Sequence, residues 1–114
     1  ERGGQWEKAL ELFSDLRTRG LEPDLITYNT MIAACGHWGQ WERALDLFDE
    51  LKRRLDPDVI AYNTVIGVCA KANRWDRAYA LFEELRNRGL KPDLITYTAL
   101  IHASDDDTKR HLFD

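Results

Sequence analysis

The chain has few of the residues that build stapled or membrane-bound proteins. Of its 114 residues, two are cysteine, three proline and one methionine. Two thiols cannot make the disulfide framework of a small secreted domain, and a reducing compartment fits better. No apolar run approaches the ~18 residues that span a bilayer, so no transmembrane helix is expected. A basic excess is missing too: 16 Lys and Arg face 20 Asp and Glu, for a formal charge of -4. That balance is the reverse of the basic face usual in nucleic-acid binders. A Gly-rich phosphate loop, a nucleophile elbow and a Cys/His cluster are all lacking. His37, His102 and His111 have no metal-ligand spacing. The run Asp105-Asp106-Asp107 reads as a solvated helix cap. Catalysis, a cofactor and a bound metal are therefore not expected.

What is present is an internal repeat. Pro-Asp occurs at Pro23-Asp24, Pro57-Asp58 and Pro92-Asp93, in steps of 34 and 35 residues. Tyr28, Tyr62 and Tyr97 keep the same steps; Phe13, Phe48 and Phe82, Trp6, Trp41 and Trp75, and Ala9, Ala44 and Ala78 step by 35 and then 34. Aligning 25–58 with 59–93, with one gap opposite Gly89, makes 17 of 34 pairs identical. Cys35 and Cys69 fall at equivalent places, so a stacked array would keep them apart.

Each repeat predicts two helices. The first starts after Pro-Asp, where proline fixes φ and the carboxylate can accept from free N–H groups of the first turn. Ile26, Tyr28, Met31, Ile32 and Cys35 then give helical apolar spacing, ended by Gly36 and Gly39. The second helix runs from about Trp41 to Arg54, with Trp41, Ala44, Leu45, Phe48 and Leu51 on one face and charge on the other. The next repeat copies this over 60–72 and 75–87. A lone second helix, 5–19, precedes both, and a lone first helix, 95–104, follows. The organisation expected is an incomplete repeat over 1–24, full repeats over 25–58 and 59–93, a first helix over 94–104 and an acidic tail or cap over 105–114. Trp6, Trp41 and Trp75 are assigned to the core with the three phenylalanines. The opening Glu1-Arg2-Gly3-Gly4-Gln5 falls inside a repeat, lacks a start Met or leader, and marks the chain as a fragment of a longer array.

Three blocks separate this repeat from the tetratricopeptide pattern, whose first helix carries Trp, Leu-Gly and Tyr at fixed spacing. Leu25-Ile26-Thr27-Tyr28-Asn29-Thr30-Met31-Ile32 and Trp41-Glu42-Arg43-Ala44-Leu45-Asp46-Leu47-Phe48-Asp49-Glu50-Leu51, followed by Asp56-Pro57-Asp58, resemble the pentatricopeptide repeat family, P-type. The blocks recur at 59–66, 75–85 and 91–93, so the resemblance covers roughly residues 1–103. Tryptophan at the start of each second helix departs from the aliphatic residue usual there.

The resemblance implies an all-α, right-handed solenoid of antiparallel helix-turn-helix repeats. It implies single-stranded RNA as partner, read one base per repeat by a few side chains on the first helices. The base-reading pairs carried over are Asn29 with Asp58 and Asn63 with Asp93, a combination that favours uracil and then cytosine in the family. Asn supplies both a donor and an acceptor to a base edge, and the acceptor-only Asp can hold the amide in one orientation. Asp24 and Thr98 belong to incomplete pockets. Ile26, Ile60 and Ile95 are the base-stacking positions, and Lys71 and His37, with Arg2 at the corresponding earlier position, are the phosphate contacts. The resemblance also implies a mitochondrion or plastid. The acidic balance supports a second reading, a scaffold that holds a peptide, a partner protein or a second copy of itself. Against that reading, much of the acid lies on the outer faces of second helices.

Overall fold

The computed structural model describes the backbone of residues 3–113 and the side chains of residues 6–104. Six helices run along this stretch: α1 (Gly3–Thr18), α2 (Leu25–His37), α3 (Trp41–Arg54), α4 (Val59–Lys71), α5 (Trp75–Asn87) and α6 (Leu94–Phe113). They form an all-α helical-repeat solenoid. Its thinnest dimension is 19 Å, the depth of two helix layers. One layer holds the first helices α2, α4 and α6, and the other holds α1, α3 and α5.

The caps explain where the first helices start. The Asp24 and Asp58 carboxylates each accept the backbone N–H three residues on, at 2.9 Å, and Asp93 does the same for Thr96 at 3.1 Å. The turn between the helices of a repeat needs a left-handed residue. Gly39 supplies it at φ 77, and Asn73 supplies it at φ 60, asparagine being one of the few side chains that tolerate the region.

Packing is closest in the inner layer. α4 touches α2 on one side and α6 on the other, and is backed by α5. Accordingly Ala61, Tyr62, Val65, Ile66, Val68, Cys69 and Ala70 are all buried, while Ile60 and Lys71 on the remaining face stay exposed. Gly36 permits the approach of α2: a Cβ there would lie 2.3 Å from Val68 Cγ2. α3 and α5 make no comparable backbone approach and meet through long side chains. The stack therefore curves with the first helices on its inner side.

Two repeating clusters tie the layers together. The rings of Phe13, Phe48 and Phe82 meet Tyr28, Tyr62 and Tyr97 edge-on, at centroid distances of 5.6, 4.9 and 5.6 Å. At the tip of the ring, the Tyr28 hydroxyl donates to Glu50 at 2.9 Å and accepts from Arg17 at 3.0 Å, while Arg17 and Glu50 form an ion pair. One repeat on, the Tyr62 hydroxyl donates to Glu84 at 2.8 Å, and Lys52 reaches the same carboxylate at 2.8 Å. Burial pushes the Glu84 pKa up, but bonds from Lys52 and Tyr62 outweigh it and the net direction is down.

Two expectations are corrected. The last helix does not end at Ser104 but continues to Phe113, since no glycine or proline interrupts 94–113 where Gly36 and Gly39 stand in the first full repeat. The side chains of the acidic run, and with them the role of 105–114, lie outside the described residues. Trp6, Trp41 and Trp75 are half-buried rather than fully buried, and Trp41 and Trp75 pack against the edge of the core. Each sits in the opening turns of a second helix, and Arg43 stacks 5.2 Å from Trp6 and Arg74 4.6 Å from Trp41. Trp38 is half-buried, its ring against that of His37. Cys35 and Cys69 are free and buried, as the repeat spacing required. Burial pushes both thiols up, Cys69 to about 11.

Candidate nucleic-acid interface

The inner face is built from the residues that the first helices do not bury. Apolar contact holds Tyr28 and Tyr62 inward, which turns the residues two positions earlier outward. Ile26, Ile60 and Ile95 are 74, 63 and 63% exposed, unusually high for isoleucine, and they stand in register along the face. A role in packing between repeats does not fit that exposure.

Between successive isoleucines lies the Asn–Asp pair. In the second full repeat the two side chains meet: Asn63 Nδ2 donates to Asp93 Oδ1 at 2.9 Å. The bond crosses from α4 to the residue that caps α6, so it joins one repeat to the next. Thr96, fully buried, completes it. Its hydroxyl contacts Asn63 Oδ1 and Asp93 Oδ1 and accepts the Asp93 backbone N–H at 3.1 Å. Asn63 first, and Thr96 after it, hold the Asp93 carboxyl below the usual carboxylate range. Sequence reasoning missed Thr96, although its place three residues after Pro-Asp, shared with Thr27 and Ala61, was available as a signal.

The first full repeat is different. Asn29 is half-buried, and its Oδ1 is buried without a hydrogen-bond partner. Asp58 accepts from the Ala61 N–H, but no bond joins it to Asn29. The outer two positions are simpler. Asp24 accepts from the Thr27 N–H and hydroxyl, both at 2.9 Å, and these bonds hold its carboxyl below the usual range. Thr98 is exposed, its hydroxyl donating to the Leu94 carbonyl at 2.7 Å.

Lys71 ends α4 and lies at the rim of an open groove of about 410 Å³ between α4 and α6. Gly67, Ala70, Ile95, Thr98 and Ala99 line it, so the floor is apolar and the rim carries one cation. His37 ends α2, exposed, its ring 4.8 Å from that of Trp38. Arg2 lies outside the described residues. The arrangement can stack flat apolar groups on the exposed isoleucines and, between Ile60 and Ile95, offer one of them a paired donor and acceptor. No helix among the described residues is long and apolar enough to cross a membrane.

Known proteins resemble this chain in sequence and fold. The family described as pentatricopeptide repeat domain matches residues 11–72, and the PPR repeat family matches residues 57–104. Pentatricopeptide repeat-containing protein 10, chloroplastic, of Zea mays is 49% identical over 35 residues, 31% of this chain and 4% of the relative. A pentatricopeptide repeat-containing protein of Arabidopsis thaliana is 47% identical over 34 residues, 30% of this chain and 5% of the relative. The crystal structure of the pentatricopeptide repeat protein PPR10 in complex with an 18-nt psaJ RNA element superimposes with a TM-score of 0.78 at 40% identity, over 87% of this chain and 15% of that one. The structure of PPR10 from maize matches equally well, over 90% of this chain and 15% of that one. The chain thus spans a small part of the length of these relatives.

Proposed function

Because the chain belongs to the pentatricopeptide repeat family, we propose that it is a single-stranded RNA-binding module that reads one base per complete repeat. The observation that carries this reading is the Asn63–Asp93 bond between exposed Ile60 and Ile95 on the inner face. Asn63 with Asp93 and Asn29 with Asp58 form two adjacent pyrimidine pockets, uracil preferred over cytosine. Ile26, Ile60 and Ile95 stack on the bases, and Lys71 and His37 meet phosphates. Asp24 and Thr98 contribute to the flanking pockets. The superposition on a protein solved with RNA supports the same reading. The module binds without chemistry, and it works in a plastid or mitochondrion, consistent with the chloroplastic relative.

Affinity is weak. Stacking is worth ~1–3 kcal/mol per base, and two pockets leave little after the cost of association. The test is fluorescence anisotropy at low salt with oligo-U and oligo-A, using the wild type and the Asn29→Ala/Asn63→Ala double variant. Oligo-U binds better, and the double variant loses the preference. Equal binding of both RNAs by both proteins refutes the pocket assignment. Failure of any RNA to bind at high protein concentration favours the scaffold for a protein partner or a second copy, the reading that the charge of -4 supports.

A further inference from the structure

The two complete pockets carry the same Asn/Asp pair but are not equivalent. We propose that the residue three positions after the Pro-Asp aspartate sets how sharply each pocket discriminates: Thr96 fixes the Asn63 amide, whereas Ala61 leaves the Asn29 amide free to turn over. This rests on the RNA-reading function proposed above.

The geometry is as follows. Asn63 gives one amide hydrogen to Asp93, and its Oδ1 is engaged by the Thr96 hydroxyl. If the amide turned over, Oδ1 would face the Asp93 carboxylate and the attraction would become a repulsion. Thr96 is itself held, accepting the Asp93 backbone N–H and lying fully buried. One amide hydrogen and one carbonyl lone pair then remain for a ligand, at set places. At the corresponding place Ala61 has no hydroxyl, and Asn29 Oδ1 is buried without a donor. Asp58 accepts the Ala61 N–H as Asp93 accepts the Thr96 N–H, but makes no bond to Asn29.

The consequence follows from the two pyrimidines. Uracil presents a ring N–H beside a carbonyl oxygen. Cytosine presents a ring nitrogen acceptor beside an amino group. The order of donor and acceptor is reversed between them. A fixed amide complements one order, and an amide that can rotate complements either. The Asn63 pocket therefore separates uracil from cytosine and the Asn29 pocket tolerates both. A bond to a charged group sets the scale at about tenfold for Asn63, against less than about threefold for Asn29.

The test uses the whole chain and RNAs of equal length with UU, UC, CU or CC at the centre of an otherwise uniform strand. The UC and CU isomers differ only in which pocket meets cytosine, so the wild type binds them unequally. Thr96→Val removes the hydroxyl at constant shape and makes them equal, and Thr96→Ser restores the difference. Ala61→Thr makes the Asn29 pocket discriminate, so that both isomers fall below UU. Side-chain amide exchange measured by NMR without RNA gives a second readout: the Asn63 amide is protected relative to Asn29, and Thr96→Val removes the protection. Binding of UC and CU that is equal in the wild type, or unchanged by these substitutions, overturns the assignment alone. If no RNA binds, the RNA-reading function falls and the specificity assignment falls with it.

Discussion

Replacing Gly36 and Gly67 separately by alanine should shift stability in opposite directions. Both glycines lie in first helices, and alanine favours a helix by about 0.5–1 kcal/mol over glycine. At Gly67 nothing lies within 4 Å of the new Cβ, so the whole gain is realised. Gly67→Ala should raise stability by about 0.5–1 kcal/mol, or about 2–4 °C in Tm for a chain of this size. At Gly36 the new Cβ would lie 2.3 Å from Val68 Cγ2, and 3.2 Å from Val68 Cβ and Cγ1. Val68 is buried and β-branched, with a strongly preferred rotamer in a helix, so it cannot swing aside. α2 and α4 must separate instead. Overpacking of this kind costs about 1–3 kcal/mol. Since Gly36 sits in the last turn of α2, only part of the helix gain offsets it. The net loss is about 1–2 kcal/mol, a fall of about 4–8 °C. Thermal and urea unfolding followed by circular dichroism would measure both, with unchanged m-values showing that the same unfolding is compared. A Gly36→Ala protein as stable as wild type would refute the close approach of α2 to α4 and, with it, the stated cause of the curvature.

Two further outcomes follow from the polar clusters. Tyr62→Phe removes the hydroxyl that donates to Glu84 and should cost about 1 kcal/mol, since the carboxylate is partly exposed and keeps Lys52; a melt unchanged by this substitution would show that the bond does not contribute. Acidification should also destabilise the fold. The folded-state pKa values of Asp24, Asp93 and Glu84 lie below their ordinary values, so their contribution is complete above the unfolded carboxylate range and is lost as pH falls through the folded values. Tm should be flat from about pH 7 to pH 5 and fall below that range; a flat profile down to pH 3 would contradict the assignment.

Much of this fold was legible because repetition averages away local ambiguity. One Pro-Asp could open any turn, but three in register with Tyr and Phe mark the same helix start each time. The starts of α2, α4 and α6 were accordingly expected within a residue or two, and the buried Tyr28, Tyr62, Phe48 and Phe82 follow from apolar spacing. Legibility failed where a single copy departs from its siblings. The end of α6 was placed by analogy with Gly36, but nothing in 104–113 breaks a helix. The tryptophans were assigned by their place on the apolar stripe, while their position at the start of a helix leaves a ring face of Trp6 and of Trp41 for arginine. The pairing of Asn63 with Asp93 was expected from the family resemblance. That Asn29 lacks it was not, because the difference arises from Ala61 and Thr96, thirty-odd residues further along the chain.

The Tyr–Glu clusters give the array a direction. Tyr28 and Glu50 belong to one repeat, but their nearest cation, Arg17, comes from the helix before; Tyr62 and Glu84 likewise have Lys52 as their nearest cation. Each unit therefore supplies the counter-charge of its successor. Local opening of a unit takes the shorter ion pair from the next unit's half-buried carboxylate and leaves it only the longer pair within its own helix, Arg54 for Glu50 and Arg88 for Glu84, whereas the preceding unit keeps its own cation. Opening that begins at the amino-terminal side thus carries an electrostatic penalty into the neighbour, and opening from the carboxy-terminal side does not. Such an array frays asymmetrically, even though its repeats are alike and their contacts are nearest-neighbour only.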